Sequence, residues 1–149
     1  MDGSEECPPV ATLSEDVLAF LQSMKAPAVL VTLAGDGTPR ASAVWFGLLD
    51  GDIVVSTPAG RPKARNVLAD ARVSIIVDTK ERPYRGVAIE GVAEVMDDPD
   101  RAVAELIARR YVGDDTAELA RRRSLAAERV AIRIRPRRVR PWNLGAPPP

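Results

Sequence analysis

The sequence contains no histidine. That absence removes Ser-His-Asp and Cys-His nucleophile systems, histidine-ligated zinc and the usual general base near neutral pH. Cysteine is almost as scarce. The single cysteine, Cys7, stands in a polar, proline-containing stretch and can form no intrachain disulfide, which fits a reducing cytoplasm. One thiol also excludes a thiolate metal site. No apolar run approaches the roughly 18 residues of a membrane span. The opening "MDGSEECPP" is acidic where a signal peptide needs basic residues followed by an apolar core. The composition points to a soluble, cytoplasmic protein with no membrane partner. If it is an enzyme, its chemistry comes from a bound cofactor, with the protein supplying binding and orientation.

A net charge is also missing: 21 Lys+Arg cancel 21 Asp+Glu, so any electrostatic function must be local. What is present is 149 residues, 46% hydrophobic and 28% charged, enough for one domain with a complete core. Residues 1–11 and 145–149, the latter the "GAPPP" tail, are expected to be disordered, which leaves 12–144 as the folded unit.

Thr12 with Glu15 has capping-box spacing, and Val17, Leu18, Leu21 and Met24 follow at helical intervals. After Pro27, "AVLVTLAGDGTPRASAVWFGLLDGDIVVST" gives three apolar runs separated by turns at Asp36-Gly37 and Asp50-Gly51, a hairpin signal. A short helix follows, then the strand "RVSIIVDT" and a fifth strand, "YRGVAIEGVAEVMD", with Gly91 placed for a bulge. Asp98-Pro99 reads as an N-cap and first helical residue, with Val103, Leu106, Ile107 and Tyr111 as the apolar stripe up to Gly113. A helical stretch through "TAELARRRSLAAE" and a last strand, "RVAIRIRP", complete the chain. In that strand Val130, Ile132 and Ile134 alternate with Arg129, Ala131, Arg133 and Arg135. This order suggests a small antiparallel barrel decorated by helices.

The stretch "VVSTPAGRPKARNVLAD", residues 54–70, carries an apparent conflict. Arg61, Lys63 and Arg65 crowd the start of a helix opening at Pro62, where the unsatisfied N–H groups make each cation cost about 0.3–1 kcal/mol. On a helix from Pro62 to about Asp70, Ala64, Val67, Leu68 and Ala71 share the packing face, while Lys63, Asn66 and Asp70 share the other. No acidic residue occurs from Ile53 to Ala69. Spacing alone leaves two readings open. Either the cations swing into water, where the dipole is screened, or an anion sits at the helix start and receives N–H bonds and charge-assisted contacts of about 1.5–3 kcal/mol each. Ser56 and Thr57 add hydroxyls at the end of the preceding strand.

The arrangement "DGTPRASAVWF…DGDIVVSTPAGRPKARNVLADARVSIIVD…VAIEGVAEVMDD…ARRYVG…RPRRVRPW" resembles the flavin/deazaflavin oxidoreductases of the pyridoxamine 5′-phosphate oxidase-like split β-barrel superfamily. It is most similar to their branch of coenzyme F420-dependent reductases. "GRPKARNVLADARVSIIV" is the most specific piece. The resemblance implies a homodimer of six-stranded, mainly β split barrels with cofactor sites at the subunit interface. Arg61 and Lys63 would contact the cofactor phosphate and the start of an anionic oligoglutamate tail. Ser56 and Thr57 would lie on the phosphate side, and Asn66 would steady the loop or reach the cofactor. Ala43, Val44, Trp45 and Phe46 would border the tricyclic ring, and the segment around Trp142 would approach it from the partner subunit.

The implied activity is hydride transfer between coenzyme F420 and a small conjugated organic acceptor. FMN is the alternative cofactor, and binding without turnover is a further alternative. Only F420 carries tail carboxylates, which favours it wherever more cations flank the groove. The Arg-x-His element with which pyridoxamine phosphate oxidases hold substrate phosphate is absent, as is any histidine for haem. "RIRPRRVRPW" carries Arg133, Arg135, Arg137, Arg138 and Arg140. With few aromatics and no helix-turn-helix or RNA-recognition signature, the run does not indicate a nucleic-acid partner. Some of these arginines are expected to line the groove of the anionic tail. For Trp45 and Trp142, packing in the core or an interface competes with ring contact, and Tyr111 continues an apolar stripe, so neither Tyr84 nor Tyr111 is assigned as a proton donor.

Overall fold

The computed structural model describes residues 11–123 and 127–145. The tails expected to be disordered therefore lie outside the described residues, apart from Ala11 and Gly145; the Ala11 N–H is tied to the Pro136 carbonyl at 2.8 Å. The first helix, α1 (Glu15–Ser23), is capped by Ser14, whose hydroxyl accepts from the Val17 N–H at 3.2 Å. The Thr12–Glu15 capping box is thus displaced by a serine two residues closer to the apolar stripe. Val17, Phe20 and Leu21 are buried.

Strands β1 (Ala28–Leu33), β2 (Pro39–Val44), β3 (Phe46–Leu49) and β4 (Asp52–Pro58) follow, then α2 (Pro62–Ala69), β5 (Arg72–Asp78) and β6 (Gly86–Asp97). Helices α3 (Ala102–Val112) and α4 (Thr116–Arg123) separate β6 from β7 (Arg129–Trp142). All pairings are antiparallel, in the order β2-β1-β5-β6-β7-β4-β3. The stretch expected to be one strand after the first hairpin is broken at Trp45 into β2 and β3, which occupy the two opposite ends of the sheet. A sheet whose ends are joined by one residue has to curl, and the result is the half-barrel of a split barrel, with seven strand segments in place of six.

The core fills the curl. Leu30, Phe46, Ile53, Ile75, Ile89, Ile132 and Ile134 are the large side chains that line it, and α1 closes one end through Leu21. Gly91 sits at the expected bulge: β6–β7 pairing steps from Glu90↔Arg138 to Gly91↔Pro136, leaving Arg137 as the extra residue on β7. A Cβ at Gly91 would stand 2.2 Å from the Arg135 carbonyl oxygen, so the close approach requires glycine. Three packing expectations fail. Leu68 is 71% exposed and Ala71 is exposed past the helix end, because α2 stops at Ala69 and buries only Ala64 and Val67, and Leu106 is 40% exposed beside Gly47.

Helix α3 starts later than its sequence signal. Asp98 does cap, its carboxylate accepting from the Val103 and Ala104 N–H groups at 3.2 and 3.0 Å, but Pro99 and Asp100 form a turn and Arg101, at φ 58°, is the residue before the helix. Tyr111 from this helix pins the Trp45 break. Its hydroxyl accepts from the Phe46 N–H at 3.3 Å and donates to the Ala26 carbonyl at 3.2 Å, while its ring lies parallel to the Trp45 indole at 4.7 Å. Arg110 supports the same corner by donating to the Leu21 and Met24 carbonyls at the end of α1.

Tyr111→Phe keeps the stacking and strips the hydroxyl, leaving a backbone donor and acceptor short of a partner at a cost of about 1–3 kcal/mol. Thermal unfolding should fall by about 3–8 °C; an unchanged midpoint would show that the hydroxyl does not hold the break.

Candidate functional site

The Trp45 break opens a concavity. The ends of β2 and β4 splay beneath α3 and α4, and the start of α2 closes one side, giving a cavity of about 430 Å³. Its floor is Ala43, Val44 and Trp45 from β2 and the break, with Ser56, Thr57 and Pro58 from β4. Arg61 and Lys63 enter from α2. Seven of the residues singled out in the sequence thus meet in one place. Phe46 does not join them: it is fully buried beneath the floor, with the Arg110 guanidinium 4.7 Å from its ring centroid. Asn66 also lies outside the lining; its Nδ2 donates to the buried Thr32 hydroxyl at 3.1 Å, tying α2 to β1. Trp142 pairs with Gly86 at the far end of β7, where the indole fills the space a Cβ of residue 86 would take.

The helix start has no acidic partner of its own. Arg61, the N-cap, makes no side-chain capping bond, Pro62 opens the helix, and the first turn holds no acidic residue. Thr57 is 1% exposed, and its hydroxyl has no hydrogen-bond partner among the described residues. An unpaired buried hydroxyl is costly, and in the wall of a cavity it is a donor left for a ligand. Lys63 is held below the usual lysine range, first by burial and then by repulsion from Arg61 and Arg129. Among the described residues neither Arg61, Lys63 nor Arg129 forms an ion pair.

Arg129 was not visible as a site residue in the sequence. Strand pairing puts it opposite Pro58, so the first residue of β7 stands over the same corner as α2. Its Nε donates to the Ser56 hydroxyl at 2.9 Å. Burial, followed by repulsion from Arg101 and Arg122, pushes its guanidinium down from its ordinary value, with Asp98 acting in the opposite direction. Arg101, Arg122 and Arg123, also unforeseen, complete the cationic lining from α3 and α4. For Arg122 and Arg123 the one sequence signal was the "ARRR" run at the end of a helical pattern, which has nothing in it to say which face is concave.

The arginines expected to line the groove do something else. Arg133 and Arg135 pair with Asp52 at 2.9 and 3.0 Å, Arg135 also with Glu94 at 3.0 Å, and Arg140 with Glu90 at 2.9 Å. They staple β6, β7 and the β3–β4 turn, because alternate residues on paired strands put opposite charges side by side. Tyr111, with its hydroxyl engaged at both ends of the Trp45 break, has no proton to deliver to the cavity.

The donor set of this corner, a lysine, guanidinium groups, an orphan hydroxyl and a helix start, fits a phosphate. The sequence profile of the family described as pyridoxamine 5′-phosphate oxidase matches residues 13–143. A conserved hypothetical protein, Rv2991 of Mycobacterium tuberculosis, is 30% identical and superimposes with a TM-score of 0.76 over 94% of this chain and 92% of its own. A structure called F420 reductase is 28% identical, with a TM-score of 0.69 over 86% of this chain and 98% of its own. The haem storage protein HutZ of Vibrio cholerae shares the fold at 18% identity, TM-score 0.63, over 85% and 92% of the two chains. No curated protein matches the chain in sequence. The profile match takes in every strand of the sheet and the whole cation-lined cavity, and the chain belongs to the pyridoxamine 5′-phosphate oxidase family.

Proposed function

We propose that this protein is a coenzyme F420-dependent oxidoreductase acting on a small conjugated organic acceptor. The observation that carries the reading is the crowd of cations in one cavity, Arg61, Lys63, Arg101, Arg122, Arg123 and Arg129, with Glu105 as the single carboxylate in the lining. Arg122 and Arg123 have Glu118 and Glu105 as ion-pair partners, whereas Arg61, Lys63 and Arg129 form no ion pair among the described residues, and like charges held together in a partly buried space repel until an anion joins them. One phosphate is matched by Arg61, Lys63 and Thr57; the further arginines suit a ligand that carries several negative charges, as the F420 tail does. FMN is the second reading, favoured by the α2 corner taken alone. Haem bound through imidazole is not open to a chain without histidine.

A reduced deazaflavin bound here would supply hydride chemistry toward an electrophilic carbon of the acceptor. The chain's own part would be binding and orientation: Lys63 and Arg61 would hold the phosphate, Asn66 holds α2 on β1, and Ala43 to Trp45 would provide a floor for a flat ring. Solvent or a nearby side chain would supply the proton. Trp142 is remote from the cavity of its own chain, so its segment reaches the ring only from a second copy. The half-buried Val29, Val31, Ile76 and Ala88 on the outer face of the sheet support such a homodimer. A cytoplasmic location goes with this reading.

Titration of the protein with F420 at low salt, followed by fluorescence, tests the site directly. Arg61→Ala and Lys63→Ala should each weaken binding by about tenfold or more, whereas Arg65→Ala, on an exposed part of the same helix outside the cavity, should leave it within about twofold. Equal losses at all three positions would reduce the effect to general surface charge.

Thr57→Val separates a ligand donor from a structural one. Because the hydroxyl already lacks a partner, the variant should unfold at the same temperature as the wild type or higher. Its F420 affinity should nonetheless drop several-fold, and intact affinity would remove Thr57 from the phosphate site.

Affinity should also depend on pH through Lys63. Its pKa is depressed without ligand, and a bound anion raises it, so binding takes up a proton between the two values. F420 affinity is therefore full below the depressed pKa and falls as pH rises through it. Lys63→Arg, which stays charged, should flatten that alkaline fall; an identical profile in the variant would assign the titration elsewhere.

A further inference from the structure

The wall of the cavity facing α2 is built differently from the phosphate corner. Arg122 lies with its guanidinium carbon 4.3 Å from the centre of the Trp45 indole. A guanidinium stacked on an aromatic ring keeps its N–H edges in its own plane, available for a two-point contact with a carboxylate. Its Nε forms an ion pair with a Glu118 carboxylate oxygen at 2.9 Å, although the N–H is not directed at that oxygen. The end of α4 that presents it is fastened by Arg101, which donates to the Arg122 and Arg123 carbonyls at 3.3 and 3.0 Å.

The carboxylates near this wall are engaged. Asp98 caps α3, Glu105 pairs with Arg123, and Glu118 accepts from Nε and Nη2 of Arg121 at 2.9 and 2.8 Å and pairs with Arg122 as well. Arg129, approaching from β7, is bound through Nε to Ser56 and feels Arg122 and Arg101 as repelling neighbours. Between these cations the lining is apolar, with Ala104, Ala108 and Leu119. An arginine set against an apolar wall and an indole matches a small organic acid better than an inorganic ion.

We infer that this wall is a second anion subsite, in which Arg122 takes the carboxylate of the acceptor, so that the compounds reduced are α,β-unsaturated carboxylic acids. The subsite rests on the proposed F420 reading for its role in turnover, but its geometry exists without the cofactor. Arg122 then determines specificity: it selects acids over the corresponding amides and esters, and it places the acceptor on the Trp45 side of the cavity, apart from the α2 corner.

Ligand-observed NMR with crotonate, and with crotonamide as its uncharged isostere, tests this on the full chain, first alone and then loaded with F420. Crotonate should bind in both states and at least about tenfold more tightly than crotonamide. Arg122→Ala should abolish that preference, and Arg122→Lys, which keeps the charge but loses the planar fork, should recover little of it. Unfolding midpoints near the wild-type value certify that both variants are folded. Equal binding of acid and amide, or an unaltered preference in both variants, overturns the subsite. Displacement of crotonate by F420 also overturns it, because the wall then belongs to the cofactor tail. Crotonate binding through Arg122 in a protein that does not bind F420 supports the subsite while removing the deazaflavin reading.

Discussion

The structure depends on one residue that belongs to no strand. Trp45 links β2 and β3, which stand at opposite ends of the sheet order. A flat sheet cannot satisfy that connection, so the strands curl until the two ends meet across it. The price is a backbone N–H at Phe46 and a carbonyl at Ala26 that need a partner away from the sheet, and the Tyr111 hydroxyl serves both. Helix α3 is thereby fixed over the break, and the space between α3 and the splayed ends of β2 and β4 becomes the cavity. Closure of the barrel and creation of the site are the same event.

Electrostatics then decide what the cavity can hold. Arg133, Arg135 and Arg140 lie among acidic residues of neighbouring strands and are consumed as staples. Arg61, Lys63 and Arg129 converge where β4, α2 and β7 offer no acidic partner, and they repel one another. Burial sharpens the repulsion by removing the water that would screen it. The two groups of cations are chemically alike; what differs is whether the fold brings a carboxylate alongside.

Within the cavity, the two walls use different donors. The α2 corner combines a point charge on Lys63, an orphan hydroxyl on Thr57 and the open end of a helix, a set that suits the tetrahedral oxygens of phosphate. The α3–α4 wall offers a planar guanidinium stacked on an indole among small apolar side chains, which suits a planar organic acid. Under the proposed function, these two walls would divide one cavity between a phosphate-bearing cofactor and a separate acceptor.

Local chemistry made much of this legible in the chain. The Asp-Gly turns announced the hairpins, the glycine at 91 announced its bulge, and the cations without an acidic neighbour at a helix start marked Arg61 and Lys63, which line the cavity, because turns, bulges and helix starts are set within a few residues. The absence of histidine fixed which chemistries the chain cannot perform. Long-range placement was not legible. That Arg129 stands opposite Pro58, that Arg122 covers Trp45, that Asn66 reaches Thr32 instead of the cavity, and that the C-terminal arginines meet Asp52, Glu94 and Glu90 all follow from strand order and helix packing. An arginine's sequence neighbours determine only its own backbone, whereas its partner across the sheet decides whether its charge is neutralised or left for a ligand.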